Sequence, residues 1–183
     1  VSVVGNSGSG KTTAARAVAR RLEVPHVELD GIFHQPGWTE LSTEEFRERV
    51  RRIVATPSWV VDGNYSAVRD LVWDRADTVV WIDPPLPVVA WRVVTRTVSR
   101  IVRRTELWNG NREPLSNLWS LNPNKSIIAW SLSRHSLYRR RFAAASVDPR
   151  WAHLTFNRLQ THRQVDAFVR HGAAAPTDQG ANQ

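Results

Sequence analysis

Residues 5–12 read Gly5-Asn6-Ser7-Gly8-Ser9-Gly10-Lys11-Thr12 and satisfy the pattern G-x-x-x-x-G-K-[ST] at every fixed position. An apolar, β-branched run, Val1 to Val4, comes before them, and Thr13 to Leu22 reads as a helix. The glycines let backbone N–H groups curl around an anion with no Cβ in the way. The positive end of the helix dipole points at the same place. Lys11 is placed to reach β- and γ-phosphate oxygens, and the Thr12 hydroxyl to sit on Mg²⁺. Gly5, Asn6, Ser7, Gly8, Ser9, Gly10, Lys11, Thr12 and Thr13 are therefore the expected phosphate-binding set. The expected ligand is a nucleoside triphosphate, ATP first.

Apolar runs of β type alternate with helical patterns along the rest of the chain, the sign of βα units around a parallel sheet. Strands are expected at Val1–Val4, His26–Leu29, Trp59–Val61, Thr78–Ile82 and Leu154–Phe156. Helices are expected at Lys11–Leu22, Thr43–Ala55, Ser66–Val72, Leu86 to about Arg104, Ser126–Ala145 and Thr161–Arg170. Ser42 or Thr43 is placed to cap the second helix and Thr161 the last. Asn122-Pro123-Asn124 reads as the start of the helix before Ala145. Three strands run into an aspartate and a chain reversal, at Asp30, Asp62 and Asp83. In an open parallel sheet, ligands bind beyond the carboxyl ends of the strands. The glycine-rich loop and the three carboxylates thus converge on one edge.

At 183 residues the chain is long enough to bury a substantial core within one domain. It has no cysteine, which rules out disulfides and thiolate metal sites. No apolar run approaches the ~20 residues of a membrane span, and none reads as a secretory signal. A cytoplasmic location is expected. Val1 already stands in a strand, so a few native residues, the start methionine among them, are expected to precede it. Gly172–Gln183 is small and polar and is expected to be a disordered tail. The net charge of +8 is carried by arginine, since the only lysines are Lys11 and Lys125. That surplus suits either a site for highly anionic nucleotides or a nucleic-acid surface. Most of the nine tryptophans are expected in the core.

Phosphoryl transfer needs a metal holder, a group that orients the attacking oxygen, and cations for the charge in transit. Asp62, after Trp59-Val60-Val61, has the strand-then-acid form of a Mg²⁺-holding carboxylate. Asp30 either stands beside the metal or accepts a proton from a substrate hydroxyl. Asp83, before two prolines, reads as structural. Arg92, Arg96, Arg100, Arg103 and Arg104 fall on one face of the long helix at a period near 3.6. Ala90, Trp91, Val94, Val98, Ile101 and Val102 fall opposite, on the face expected to pack on the sheet. Arg103 and Arg104 lie nearest the turn-rich stretch Trp108–Glu113, where a lid would hinge, and Arg112 would be its tip. Arg139-Arg140-Arg141 reads as surface, with contact to phosphate or nucleic acid as the alternative. The six histidines show no metal-ligand spacing. Phe33 and Trp38, in the loop after Asp30, either stack a planar acceptor or pack that loop down.

The order of these pieces resembles the P-loop kinases that include adenylate kinase and shikimate kinase. Val61-Asp62-Gly63-Asn64-Tyr65 looks like the third-strand motif of adenylate kinases. Together with Val27-Glu28-Leu29-Asp30-Gly31, Pro36-Gly37-Trp38 and Gly110-Asn111-Arg112-Glu113, it resembles the small adenylate-kinase-related proteins labelled DNA topology modulation proteins. The resemblance implies an α/β, three-layer fold with a five-stranded parallel sheet in the order 2-3-1-4-5. It puts Asp62 beside the phosphate loop and adenine near Asn157–Thr161. The expected domain is 1–171, with a short arginine-rich lid within about 103–125. Adenylate kinases continue the motif with Phe-Pro-Arg, whereas this chain has Asn64-Tyr65-Ser66, which leaves the acceptor open. The expectation is Mg²⁺-ATP-dependent phosphoryl transfer to a small acceptor, a nucleotide or hydroxylated metabolite. Lys11, Asp30, Asp62, Arg103, Arg104 and Arg112 are the expected catalytic group, and Thr12 and Asp62 the metal holders. The alternative is an ATP-switched, nucleic-acid-associated regulator with ATPase activity. Monomer and dimer both stay open, and no membrane partner is expected.

Overall fold

The structure, a computed structural model, describes residues 1–112 and 126–172. The expected helix start at Asn122–Asn124, Glu113, and the tail from residue 173 lie outside the described residues, as does part of the expected lid. Five parallel strands form one sheet: β1 (Ser2–Gly5), β2 (His26–Glu28), β3 (Val60–Asp62), β4 (Thr78–Ile82) and β5 (Thr155–Leu159). Their order is β2-β3-β1-β4-β5. Val3 is in register with Asp62 on one side and Val80 on the other. The strand ends at Gly5, Asp62 and Ile82 therefore open onto the same edge.

The strand residues alternate between two apolar layers, as a pleat requires. Val4, Val61, Val79 and Trp81 point to one face, where they meet Phe46, Val50, Trp73, Phe142 and Trp151. These come from α3 (Thr43–Val54), α4 (Arg69–Trp73), α6 (Ile127–Ala145) and the 3₁₀ turn Pro149–Trp151. Val3, Val60, Val80 and Ile82 point to the other face, against Ala15, Val18 and Phe168 of α1 (Lys11–Leu22) and α7 (His162–His171). No helix among the described residues is long and apolar enough to cross a membrane.

Local chemistry explains where the helices begin. Ser42 accepts from the Glu45 N–H at the start of α3, with Glu44 and Glu45 in the first turn. Thr161 and Gln164 form a reciprocal capping box at α7. Ser126 caps α6. By contrast, the capping residue before α1 is Gly10, which brings no side-chain cap. Among the described residues no side chain caps the helix's first N–H groups, as an anion-binding terminus requires.

Three expectations need correction. β2 ends at Glu28, and Asp30 lies in a short helix, α2 (Leu29–Phe33), instead of in a strand-end turn. β5 runs from Thr155 to Leu159, so Asn157 and Arg158 are in an edge strand, and only Gln160 and Thr161 follow it before α7. In α5 (Leu86–Val102) the buried ridge is Val89, Val93 and Thr97. Trp91 and Val102 are 71% and 75% exposed, and Val94 and Val98 are exposed too. The helix crosses the glycine-rich loop with its arginine side inward. The ridge next to Arg92 and Arg96 is therefore buried, and the face opposite them looks outward.

Candidate functional site

The glycine-rich loop is drawn tight by its own backbone. Ser9 N–H donates to the Asn6 carbonyl at 3.1 Å and Ala14 N–H to the Gly10 carbonyl at 3.1 Å. Gly8 has φ 80° and Gly10 φ 97°, both in the left-handed region that favours glycine. A Cβ on Gly8 would sit 2.9 Å from the Val89 carbonyl oxygen and 3.1 Å from the Val93 Cβ. The second constraint comes from α5, which presses on the loop at that point.

Side chains from three distant elements brace the loop. Asn64, two residues after Asp62, donates to the Gly5 carbonyl and accepts from the Gly5 N–H at 3.1 Å. Asn6 donates to the Ser131 carbonyl at 2.8 Å and to its hydroxyl at 3.1 Å, and the Ser131 hydroxyl donates to the Ser7 carbonyl at 2.8 Å. From α5, Arg92 donates to the Ser9 carbonyl at 3.0 Å and Arg96 to the Ser7 hydroxyl at 2.9 Å. Sequence reasoning missed Ser131 altogether. It placed Arg92 and Arg96 in the stripe but favoured the stripe's far end.

Lys11 Nζ lies 3.9 Å from Asp62 Oδ1 at the mouth of the loop. Asp62 is 4% exposed. Burial pushes its carboxyl above the ordinary 3.8, against the opposing pull of Lys11 and of the Thr12 hydroxyl bonded to it. Among the described residues its Oδ1 is buried without a hydrogen-bond partner, as is the Ser9 hydroxyl. A buried carboxylate oxygen left open beside a hydroxyl and a cation fits a divalent cation held through waters and phosphate oxygens. Among the described residues no cluster of three His, Cys, Asp or Glu forms a metal cage. Mg²⁺ suits such a sparse set, because it keeps most of its water.

Asp30 faces the same cleft from α2. Tyr65 donates to its Oδ1 at 2.7 Å, and the Tyr65 oxygen lies 3.3 Å from His34 Nε2. Burial and then the Asp30 charge push the Tyr65 hydroxyl well above its ordinary value, so it stays a donor. Phe33 and Phe46 pack on its ring at 4.9 and 5.1 Å. Trp38 meets His34 edge-on at 5.3 Å.

The 3₁₀ turn Trp108–Gly110 and Asn111 close on this wall like a clasp. Trp108 donates to Glu28 at 3.0 Å, and Asn109 to the Gly31 and His34 carbonyls at 3.2 and 2.6 Å. Buried Asn111 donates to the Gln35 carbonyl at 2.9 Å and accepts from the Trp38 N–H at 2.9 Å. The two motifs Pro36-Gly37-Trp38 and Gly110-Asn111-Arg112 thus bind each other. The Trp38 indole donates to the Arg112 carbonyl, while the Arg112 side chain is exposed and paired with Glu106 at 2.6 Å.

The remaining predicted residues separate cleanly. Thr12 and Thr13 line the cleft with Lys11, Asp30, Arg92, Arg96 and Arg100. Arg103 and Arg104 stand beyond the end of α5, exposed and outside the cleft lining. Asp83 is paired with Arg158 and with Arg139, the latter at 3.1 Å, as its structural reading requires. The cleft spans about 2530 Å³ between the described residues, several times the ~300–1,000 Å³ of a single-ligand pocket. It runs from Gln160, Thr161 and Val165 beside the loop to Tyr65, Trp130 and Tyr138 beyond Asp30.

The strand order and the loop between β1 and α1 define a P-loop, kinase-like fold. Residues 1–83 match the family model for the ATPase family associated with various cellular activities (AAA), which is less than half of the chain. A shikimate kinase from Acinetobacter baumannii, solved in complex with shikimate, superposes with a TM-score of 0.50 at 18% identity, covering 92% of this chain and 87% of that one. A shikimate kinase from Bacteroides thetaiotaomicron gives 0.49 at 15% identity, with 92% and 93% covered. A gluconokinase from Sinorhizobium meliloti 1021 gives 0.49 at 19%, with 92% and 90% covered. At such identities the likeness is one of fold. No curated protein sequence matches the chain significantly.

Proposed function

We propose that this protein catalyses Mg²⁺-ATP-dependent phosphoryl transfer to a small acceptor, a nucleotide or a hydroxylated metabolite. The observation that carries the reading is the buried Asp62, with an unsatisfied oxygen, set between Lys11 and the Thr12 hydroxyl at the mouth of the glycine-rich loop. Backbone N–H groups from Asn6 to Thr12 and the Lys11 ammonium hold the phosphates. Thr12 and Asp62 would hold Mg²⁺, which would supply positive charge against the phosphate oxygens. Asp30 orients the acceptor hydroxyl and takes its proton, with Tyr65 fixing the carboxylate. Arg92 and Arg96, already bonded to the loop, stabilise charge on the transferring group in preference to Arg103, Arg104 and Arg112. The net charge of +8 also suits an ATP-switched regulator on nucleic acid. That α5 turns its arginine side into the cleft favours phosphotransfer.

The test is a screen of nucleoside monophosphates, nucleosides and sugar-like metabolites for acceptor-stimulated ADP release. The reading expects at least one acceptor to raise ADP release well above the basal rate, only with Mg²⁺, and to emerge phosphorylated. ADP release that no acceptor changes would make the protein an ATPase instead.

A further inference from the structure

Asp30 and His34 stand four residues apart on one helical turn, so their side chains share a face. The His34 N–H donates to the Asp30 carbonyl at 3.0 Å and closes that turn. Tyr65, from the loop after β3, brings its hydroxyl to both side chains, 2.7 Å from Asp30 Oδ1 and 3.3 Å from His34 Nε2. A phenol has one hydrogen to give. A carboxylate oxygen at 2.7 Å takes it in preference to a ring nitrogen at 3.3 Å. Tyr65 therefore meets His34 as an acceptor, and Nε2 is the ring nitrogen that carries the hydrogen.

The rest of the ring agrees with that tautomer. Nδ1 is buried and meets no hydrogen-bond partner among the described residues. A hydrogen on Nδ1 would be a buried donor with nothing to receive it. The chain of bonds thus runs from His34 Nε2–H to the Tyr65 oxygen, and from the Tyr65 O–H to Asp30 Oδ1. It stops at Nδ1, so it has no route for a proton to leave and can only hold its members in place. The imidazole is itself held. Phe33 and Trp38 meet it edge-on at 5.2 and 5.3 Å. The clasp pins both ends of this arrangement: Asn109 donates to the His34 carbonyl, and Asn111 accepts from the Trp38 N–H. A hydroxyl hydrogen rotates to suit its neighbours. A donor fixed on one side of the Tyr65 oxygen turns that hydrogen to the other side, toward Asp30. With Oδ1 engaged, Oδ2 is the oxygen left for a hydroxyl in the cleft that Asp30 lines.

We propose that His34 is a positioning residue for the proton acceptor. Its Nε2–H, given to Tyr65, directs the Tyr65 hydrogen onto Asp30 Oδ1 and so holds Asp30 Oδ2 toward the acceptor hydroxyl. The role given to Asp30 rests on the phosphoryl-transfer reading; the tautomer and the chain of bonds stand without it.

The first test is nitrogen-15 NMR of the histidines in the full chain without ligand, at about pH 8, where an ordinary imidazole is neutral. The His34 signals are assigned by their absence from His34→Gln. The proposal expects the Nε2–H tautomer in the wild type, and the Nδ1–H form to gain population in Tyr65→Phe, which keeps the ring packing and removes the hydroxyl. Nδ1–H as the main form in the wild type would overturn it. The second test is kinetic, with a compound that stimulates ADP release. His34→Leu is expected to lower kcat about tenfold with the KM of acceptor and of ATP within about twofold, the pattern of a group placed for the transition state. His34→Gln, whose amide N–H can stand where Nε2–H does, is expected to stay within about threefold of wild type. In a Tyr65→Phe background, His34→Leu is expected to cost less than about a further twofold, because the bond it removes is already gone. Equal losses in Leu and Gln, or the full loss repeated in the Tyr65→Phe background, would overturn the positioning role while leaving phosphotransfer intact. An Nε2–H His34 in a protein that no compound stimulates would count against phosphotransfer and against the role given to Asp30, and would leave the chain of bonds standing.

Discussion

The two ends of the cleft are built in opposite ways. The phosphate end is one contiguous run of nine residues, Gly5 to Thr13, shaped by local backbone bonds and two left-handed glycines and braced by Asn64, Ser131, Arg92 and Arg96. The far end has no contiguous motif. Its wall, Asp30 to Trp38, is held by Trp108–Asn111, about seventy residues away, and by Tyr65. A charged triphosphate tail is met by the same amides whatever its acceptor, so a local motif suffices. Under the proposed phosphotransfer the far end would receive the acceptor, and its wall is set by long-range contacts with no contiguous motif behind them.

Asp62→Asn tests the phosphate end with the larger effect. Turnover that depends on Mg²⁺ is expected to fall about 100-fold while ATP still binds. Stability is expected to move the other way. Because burial raises the Asp62 carboxyl above 3.8, the folded state holds a proton that the unfolded state has released. Wild type therefore loses stability as pH rises from 3.8 through the raised value, and the variant does not. Without Mg²⁺ or ATP, the variant is expected to melt higher than wild type near pH 8, and the gap to close as pH falls toward 3.8. A gap that widens on acidification would contradict the buried-charge account.

Asn111→Ala probes the other end with a smaller effect. The substitution removes a buried side chain that donates to Gln35 and Trp108 and accepts from Trp38. Urea unfolding is expected to show a loss of about 1–3 kcal/mol. Acceptor KM is expected to rise while ATP affinity stays within about twofold, the pattern of lost ground-state positioning. If ATP affinity fell equally, the two ends would be one coupled unit and the contrast between them would fail.

The same contrast explains what could be read from the chain. Lys11–Leu22 and Thr78–Ile82 have the expected bounds because their signals are local: a glycine-to-lysine start in one, a β-branched run closed by Asp83-Pro84 in the other. The sheet order followed from resemblance and not from periodicity. β5 runs further than its apolar residues suggest. As an edge strand it tolerates Arg158, which lies over Trp81 at 4.4 Å and pairs with Asp83. The helical turn that carries Asp30 has too few residues to show a period. The inward face of α5 was misread because apolar stripes usually face the core, and here the loop claims the arginines instead. Nothing in Trp108–Asn111 signals its partner, since carbonyls at Gly31, His34 and Gln35 leave no mark in sequence. Lys11, Thr12 and Asp62 come together, as the sheet order implied by the resemblance places them.

The most direct measurement is calorimetry of Mg²⁺-ATP binding to the wild type and to Lys11→Ala. The account predicts one site in the wild type and a loss of about 100-fold in the variant, with a cooperative melt preserved. A folded Lys11→Ala protein that bound ATP as tightly as wild type would contradict it.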